Sequence, residues 1–180
     1  MKKALLAMVC VLAMFASCNK EKPNEKFIGN YKADNMELKA TIRTSDPAAQ
    51  QLIDGHELPV AFDDVLLSIT AGDKKDKVAA VLTVEGDNYT FNGTCNGDVI
   101  DFEQTTLVIE KNDANQGFKF QINAVVDASA KLNSEGQLLY SGTFTGSGTA
   151  SATVLGMNIS APFTMENGKI EMTIFQPISK

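Results

Sequence analysis

Phe118-Lys119-Phe120-Gln121-Ile122-Asn123-Ala124-Val125 decides the fold. Apolar and polar residues alternate through it, so one side of an extended chain is greasy and the other is wet. That is the period of a strand with one buried face, not of a helix. Met36-Glu37-Leu38-Lys39-Ala40-Thr41-Ile42 and Ile170-Glu171-Met172-Thr173-Ile174 repeat the pattern. Further strands are expected at 62–71, 77–85, 88–92, 98–102, 105–111, 137–146, 149–155 and 159–165, with one more near 29–33.

The links between these runs are short and rich in turn formers. Gly86-Asp87-Asn88, Asn96-Gly97-Asp98, Asn112 to Gly117 and Asn133-Ser134-Glu135-Gly136 separate consecutive strands. Glu166-Asn167-Gly168-Lys169 reads as a tight hairpin, and the glycines from Gly142 to Thr149 as another. Short links imply antiparallel neighbours, because parallel strands need long crossovers. One short helix is expected near 46–54, with Asp46 as N-cap, Pro47 at the first helical position and Gly55 as the stop. The fold class is therefore all-β: an antiparallel meander of about ten strands. It closes into a barrel or folds into a two-sheet β-sandwich, since open edges invite aggregation.

The N-terminus has a different character. Met1-Lys2-Lys3 precedes an apolar run from Ala4 to Ala16, and Phe15-Ala16-Ser17-Cys18 ends it with small residues before a cysteine. The run is about 13 residues, roughly 20 Å as a helix, too short for a bilayer core of about 30 Å. A basic start, a short apolar stretch and small residues make a secretory signal peptide, residues 1–17. Residues 18–26 carry no apolar side chain after Cys18 and read as a solvated tether. Resemblance to the charged stretches that follow the cysteine in Bacteroidetes-type lipoproteins implies a surface-export signal instead. Residues 27–180 form a single β domain.

The intact chain carries a net charge of −6; loss of Lys2 and Lys3 with the signal brings it to −8. That excludes a nucleic-acid partner, which rewards a basic face. Of three cysteines, Cys10 leaves with the signal and Cys18 lies at its boundary. Cys95 stands alone as a turn or strand residue, so no disulfide staples the domain.

Two further resemblances bear on this reading. Phe15-Ala16-Ser17-Cys18 resembles the lipobox of bacterial lipoproteins, with Phe where that pattern has Leu. The resemblance implies cleavage before Cys18 and acylation of Cys18, hence a lipid anchor in the cell envelope. Asn19 in place of Asp implies the outer membrane, on its periplasmic face or at the cell surface. Phe27-Ile28-Gly29-Asn30-Tyr31 resembles the G-x-W start of lipocalins and fatty-acid-binding proteins, with Tyr31 for Trp. It implies a calycin-like barrel whose aromatic packs across one end. The layout is similar to small calycin-like lipoproteins of Bacteroidetes.

The search for chemistry yields no catalytic set. His56, the only histidine, falls in a loop, and no nucleophile elbow is present. The acidic pairs, including Asp63-Asp64, lack calcium-loop spacing, and a zinc site would lack its His and Cys ligands. The glycine-rich stretch lies in β context without the following helix that a phosphate loop needs. The three Asn-x-Ser/Thr sequons are incidental in a bacterial lipoprotein. No cofactor, no metal and no enzymatic activity is expected. Phe118, Phe120, Phe144, Phe163 and Met172, with Ile122, Met157, Met165 and Phe175, either line a ligand cavity or fill a core. Two functions follow: binding of a small apolar or amphipathic molecule inside the barrel, or a structural or interaction module contacting protein or glycan.

Overall fold

A computed structural model describes residues 22–113, 118–154 and 157–178, apart from the side chains of 52, 58, 59, 111–113, 118, 152–154 and 157–159. The alternating segments become nine antiparallel strands: β1 (Gly29–Arg43), β2 (Glu57–Ala71), β3 (Lys77–Val84), β4 (Asp87–Asn96), β5 (Val99–Phe102), β6 (Thr105–Asp113), β7 (Phe118–Leu132), β8 (Leu138–Val154) and β9 (Met157–Pro177). Their order is β5-β4-β3-β2-β1-β9-β8-β7-β6. Pairing of Val99, Ile100 and Asp101 with Lys131, Ala130 and Ser129 closes the sheet on itself. The result is a calycin-like barrel of eight strands, with β6 an extra strand beside β7. Closure, not a sandwich, is how this chain disposes of its sheet edges.

The strand count falls below ten because three expected breaks are not turns. The segments near 29–33 and 36–42 are one strand, as are 137–146 with 149–155 and 159–165 with 170–174. Gly142–Thr149, expected as a hairpin, lies inside β8. Its glycines answer a need for close approach. A Cβ on Gly146 would strike the carbonyl oxygen of Asn123, and one on Gly148 the ring of Phe163. Glu166-Asn167-Gly168-Lys169 is likewise not a hairpin. Leu38 faces Ile170 while Thr41 faces Glu166, so β9 spends one extra residue here in a bulge. Asn167 takes the positive φ of 53° that the bulge requires. A true two-residue turn occurs between β3 and β4, where Glu85 and Gly86 both have positive φ and Val84 pairs with Asp87.

A second line of irregularity crosses the sheet lower down. Asp34 with Asn35, Asp63 with Asp64, and Glu171 with Met172 are consecutive outward residues on β1, β2 and β9. On β8 the partners Tyr140 and Gly142 face Thr173 and Ile170, which places the extra residue of β9 at Glu171–Met172. The alternation seen in 170–174 therefore breaks. Ile170, Thr173 and Phe175 point inward, while Met172 is 65% exposed. The buried Thr173 hydroxyl donates to the Glu171 carbonyl, 3.1 Å away.

The short helix is present as α1 (Gln50–Ile53), after a turn over residues 47–49. One Asp46 carboxylate oxygen accepts the amides of Ala48 and Ala49 at 2.9 and 3.1 Å, so Asp46 caps the turn. The helix itself starts at Gln50, with Ala49 at its N-cap and no side-chain cap, later than the sequence suggests. The tether is shorter than expected. Residues 22–27 are folded across the end where β1 begins. Asn24 is buried, and its amide nitrogen donates to the Lys77 carbonyl at 2.8 Å. A 3-10 turn, Glu25–Phe27, follows and delivers Phe27, with 0% exposure, into the interior. Tyr31 is buried beneath it and its hydroxyl donates to the Phe27 carbonyl at 3.0 Å. The chain thus plugs the N-terminal end of its own barrel.

Candidate functional site

Among the described residues, the interior of the barrel is a packed core. Phe91, Phe102, Tyr140 and Phe175 form a chain of ring contacts with centroids 4.9 to 5.9 Å apart. Burial pushes the Tyr140 phenol far above its ordinary pKa, so it stays neutral. Phe144 and Phe163 are buried and Phe120 is half-buried, all in this core. The Phe118 side chain lies outside the described residues. Met172, expected among the cavity or core residues, is excluded from both by the bulge that turns it to solvent. An enclosed void of about 10 Å³ remains between Leu38, Ala40, Val60, Ile109, Ile122, Phe144 and Met165. That is at the lower limit for one water molecule, and its walls are apolar.

Open space lies outside the barrel instead, near the end opposite the plug. A groove of about 730 Å³ runs over the outer face of β7, β8 and β9 and ends against the β1–β2 loop. Its floor follows from strand periodicity and register. Gln121, Thr149 and Pro162 stand in one cross-strand row. Asn123, Ser147, Thr164 and Arg43 stand in the next, across four strands. At about 4.8 Å per strand the second row is about 14 Å long. Pro162 is tolerated because β9 has here passed the end of β1 and has a single neighbouring strand. The row continues outward to Glu110, whose carboxylate accepts the Gln121 amide at 3.0 Å.

One wall is charged and held in place. Arg43 Nε donates to Glu166 Oε2 at 3.1 Å, and its Nη1 lies 3.9 Å from Asp54 Oδ2. Asp54 also accepts the Thr44 amide at 3.0 Å, and the Thr44 hydroxyl donates to the Pro162 carbonyl at 2.7 Å. The loop is therefore tied to both β1 and β9. Arg43 and Glu166 are each about half exposed, so their pair organises the wall more than it stabilises the fold. The groove is thus rich in uncharged donors and acceptors, bounded by one ion-paired arginine. It suits a ligand with many hydroxyl or amide groups.

The groove residues are not announced by the apolar half of each alternation, which marks only the core. The polar half of each strand carries the signal: Gln121 and Asn123 on β7, Ser147 and Thr149 on β8, and Thr164 on β9. Register alone aligned them.

The other candidates fall apart in space. His56 is exposed in the β1–β2 loop. Among the described residues, no three His, Cys, Asp or Glu side chains come together as a metal site requires. Cys95 is buried on β4. Burial pushes its thiol pKa up, Asp76 adds to the rise and Lys26 partly offsets it. The thiolate fraction near neutral pH is therefore lower than for a free cysteine. Cys95 should label slowly with Ellman's reagent in the native protein at pH 7.5 and rapidly in urea. Rapid native labelling would contradict the burial.

Comparison of the chain with protein-family models, with curated proteins and with solved structures finds no match.

Proposed function

We propose that this protein is a non-catalytic lipoprotein, held through an acylated Cys18 at the bacterial outer membrane, that contacts a glycan at its polar groove. The observation that carries the reading is a contrast of spaces. A groove of about 730 Å³ is lined by Gln121, Asn123, Ser147, Thr149 and Thr164, while the void among the described interior side chains is about 10 Å³. Neutral hydroxyls and amides both donate and accept, as the hydroxyls of a sugar do. The placement supports the same reading. Lys22 is four residues from Cys18, a reach of at most about 14 Å. An anchor there holds the plugged end near the bilayer and leaves the groove on the far side of the barrel.

The test is binding of the intact acylated protein, in detergent, to arrayed polysaccharides and glycoproteins. Wild type should bind a subset, and an Asn123→Leu, Thr149→Val double variant should lose about tenfold or more, through unpaired polar groups left on the ligand. Absence of binding by wild type, or equal binding by the variant, would sink the glycan reading. A second reading, a small apolar ligand inside the barrel, draws on the apolar walls of the enclosed void. It requires Phe144 or Met165 to swing aside. Native mass spectrometry of protein extracted from its own host separates the two, because only the second predicts a co-purifying apolar molecule.

A further inference from the structure

Seven large apolar side chains are conspicuously exposed: Ile28, Leu66, Val108, Val125, Met172, Ile174 and Ile178. Five of them share one wall. Met172, Ile174 and Ile178 stand on or just beyond β9, Ile28 just before β1, and Leu66 on β2. β9, β1 and β2 are adjacent strands. Register draws the five together near the plugged end. Lys32 of β1 faces Leu66 on one side and Gln176 on the other, and the Ile178 amide donates to the Asn30 carbonyl at 2.8 Å. Half-buried Leu139 of β8 faces Ile174 and extends the patch. The wall is a product of the bulge at Glu171–Met172, which turns outward a methionine that strict alternation would bury.

We infer that in the anchored protein this wall rests in the interfacial layer of the bilayer. The inference rests on the acylation of Cys18. Two observations select a lipid surface as the occupant. The first is reach: Ile28 follows Cys18 by ten residues, and Lys22–Phe27 are folded onto the barrel end, so the patch begins beside the tether. The second is charge. The plugged end carries Lys22, Lys26, Lys74, Lys75, Lys77 and Lys131 against five acids, whereas the rest of the described chain has six cations and sixteen acids. The wall's own acids, Asp34, Asp64 and Glu171, fall in that remainder, with Asp64 and Glu171 paired to Lys32 and Lys39. An anionic lipid surface therefore tolerates the plugged edge of the wall at Ile28 and Ile178 and repels the far end. Apolar side chains beside a lipid anchor add to membrane attachment by burying in the headgroup boundary. Thr164 of the groove faces Ser147 of β8, while Met172 sits beside the Tyr140–Gly142 stretch. Thr164 is thus about six β8 residues or roughly 20 Å away, and stays clear of the hydrocarbon.

The chain contains no tryptophan, so Met172→Trp supplies a single fluorescent reporter at an exposed site. The acylated full-length variant is reconstituted in phosphatidylethanolamine–phosphatidylglycerol vesicles, with and without doxyl-labelled lipid. Asn123→Trp in the groove is the reference. Trp at 172 should show blue-shifted emission and loss of intensity with doxyl lipid, and Trp at 123 should show neither. Acylated protein that floats with the vesicles but quenches equally at both positions would overturn the inference and leave the anchor standing. A blue shift that grows with protein density and ignores doxyl lipid would mean that a second copy covers the wall, and would also overturn it. A mass at Cys18 without acyl chains would remove the anchor, and this inference with it.

Discussion

Phe27→Ala should lower the unfolding free energy by about 3–5 kcal/mol, the range for emptying a buried aromatic site. Phe27 is wholly buried, Tyr31 packs beneath it, and the Phe27 carbonyl accepts the Tyr31 hydroxyl. Truncation leaves a hole at the plugged end, and it weakens the hold of Asn24 on the Lys77 carbonyl. Against a total of about 5–15 kcal/mol for an ordinary domain, that is a large share. Urea unfolding followed by tyrosine fluorescence gives the number. Lys22→Ala, on the exposed start of the same segment, should change stability by less than about 0.5 kcal/mol. A loss under about 1 kcal/mol for Phe27→Ala would mean that residues 22–27 lie loosely on the barrel and that the end is open.

Cys18→Ala should abolish stable membrane retention. One acyl chain binds a bilayer only marginally, with a constant of about 10⁴ M⁻¹, and several chains together anchor firmly. Alanine at position 18 removes the thioether and leaves at most an unmodified N-terminus. The variant should accumulate in the soluble fraction, or as uncleaved precursor with residues 1–17 still attached. Fractionation with intact-mass analysis tells these apart. Processed protein that stays in the membrane without acyl mass would contradict lipidation. The apolar wall of β9 and β1 then becomes the measure of what remains, because a single exposed patch gives weak, salt-tolerant association at best.

The outward half of the design explains why a fold was easier to read than a site. Each apolar alternation announced a strand, and short links announced antiparallel neighbours. The breaks were harder. Asn167-Gly168 has the composition of a turn, yet β9 continues through it because β1 and β8 hold both sides in register. Gly146 and Gly148 look like punctuation, yet they are gaps into which Asn123 and Phe163 fit. Met172 reads as core from Ile170 and Ile174, and a single inserted residue reverses it. Local composition does not distinguish a glycine that turns from a glycine that makes room, since the difference is the presence of a neighbouring strand.

By itself the sequence determined the all-β class, the antiparallel order of neighbours, the capped turn at Asp46 and the aromatic at position 31. These rest on periodicity and on bonds between residues close in the chain, such as Asp46 with Ala48 and Ala49. Only the tertiary structure decided that the sheet closes through Val99–Asp101 and Ser129–Lys131, that the interior is filled, and that Gln121, Thr149 and Pro162 meet across three strands. Those are matters of register between segments 13 to 32 residues apart. A shift of one residue moves every side chain to the other face, and nothing in either strand alone forbids it.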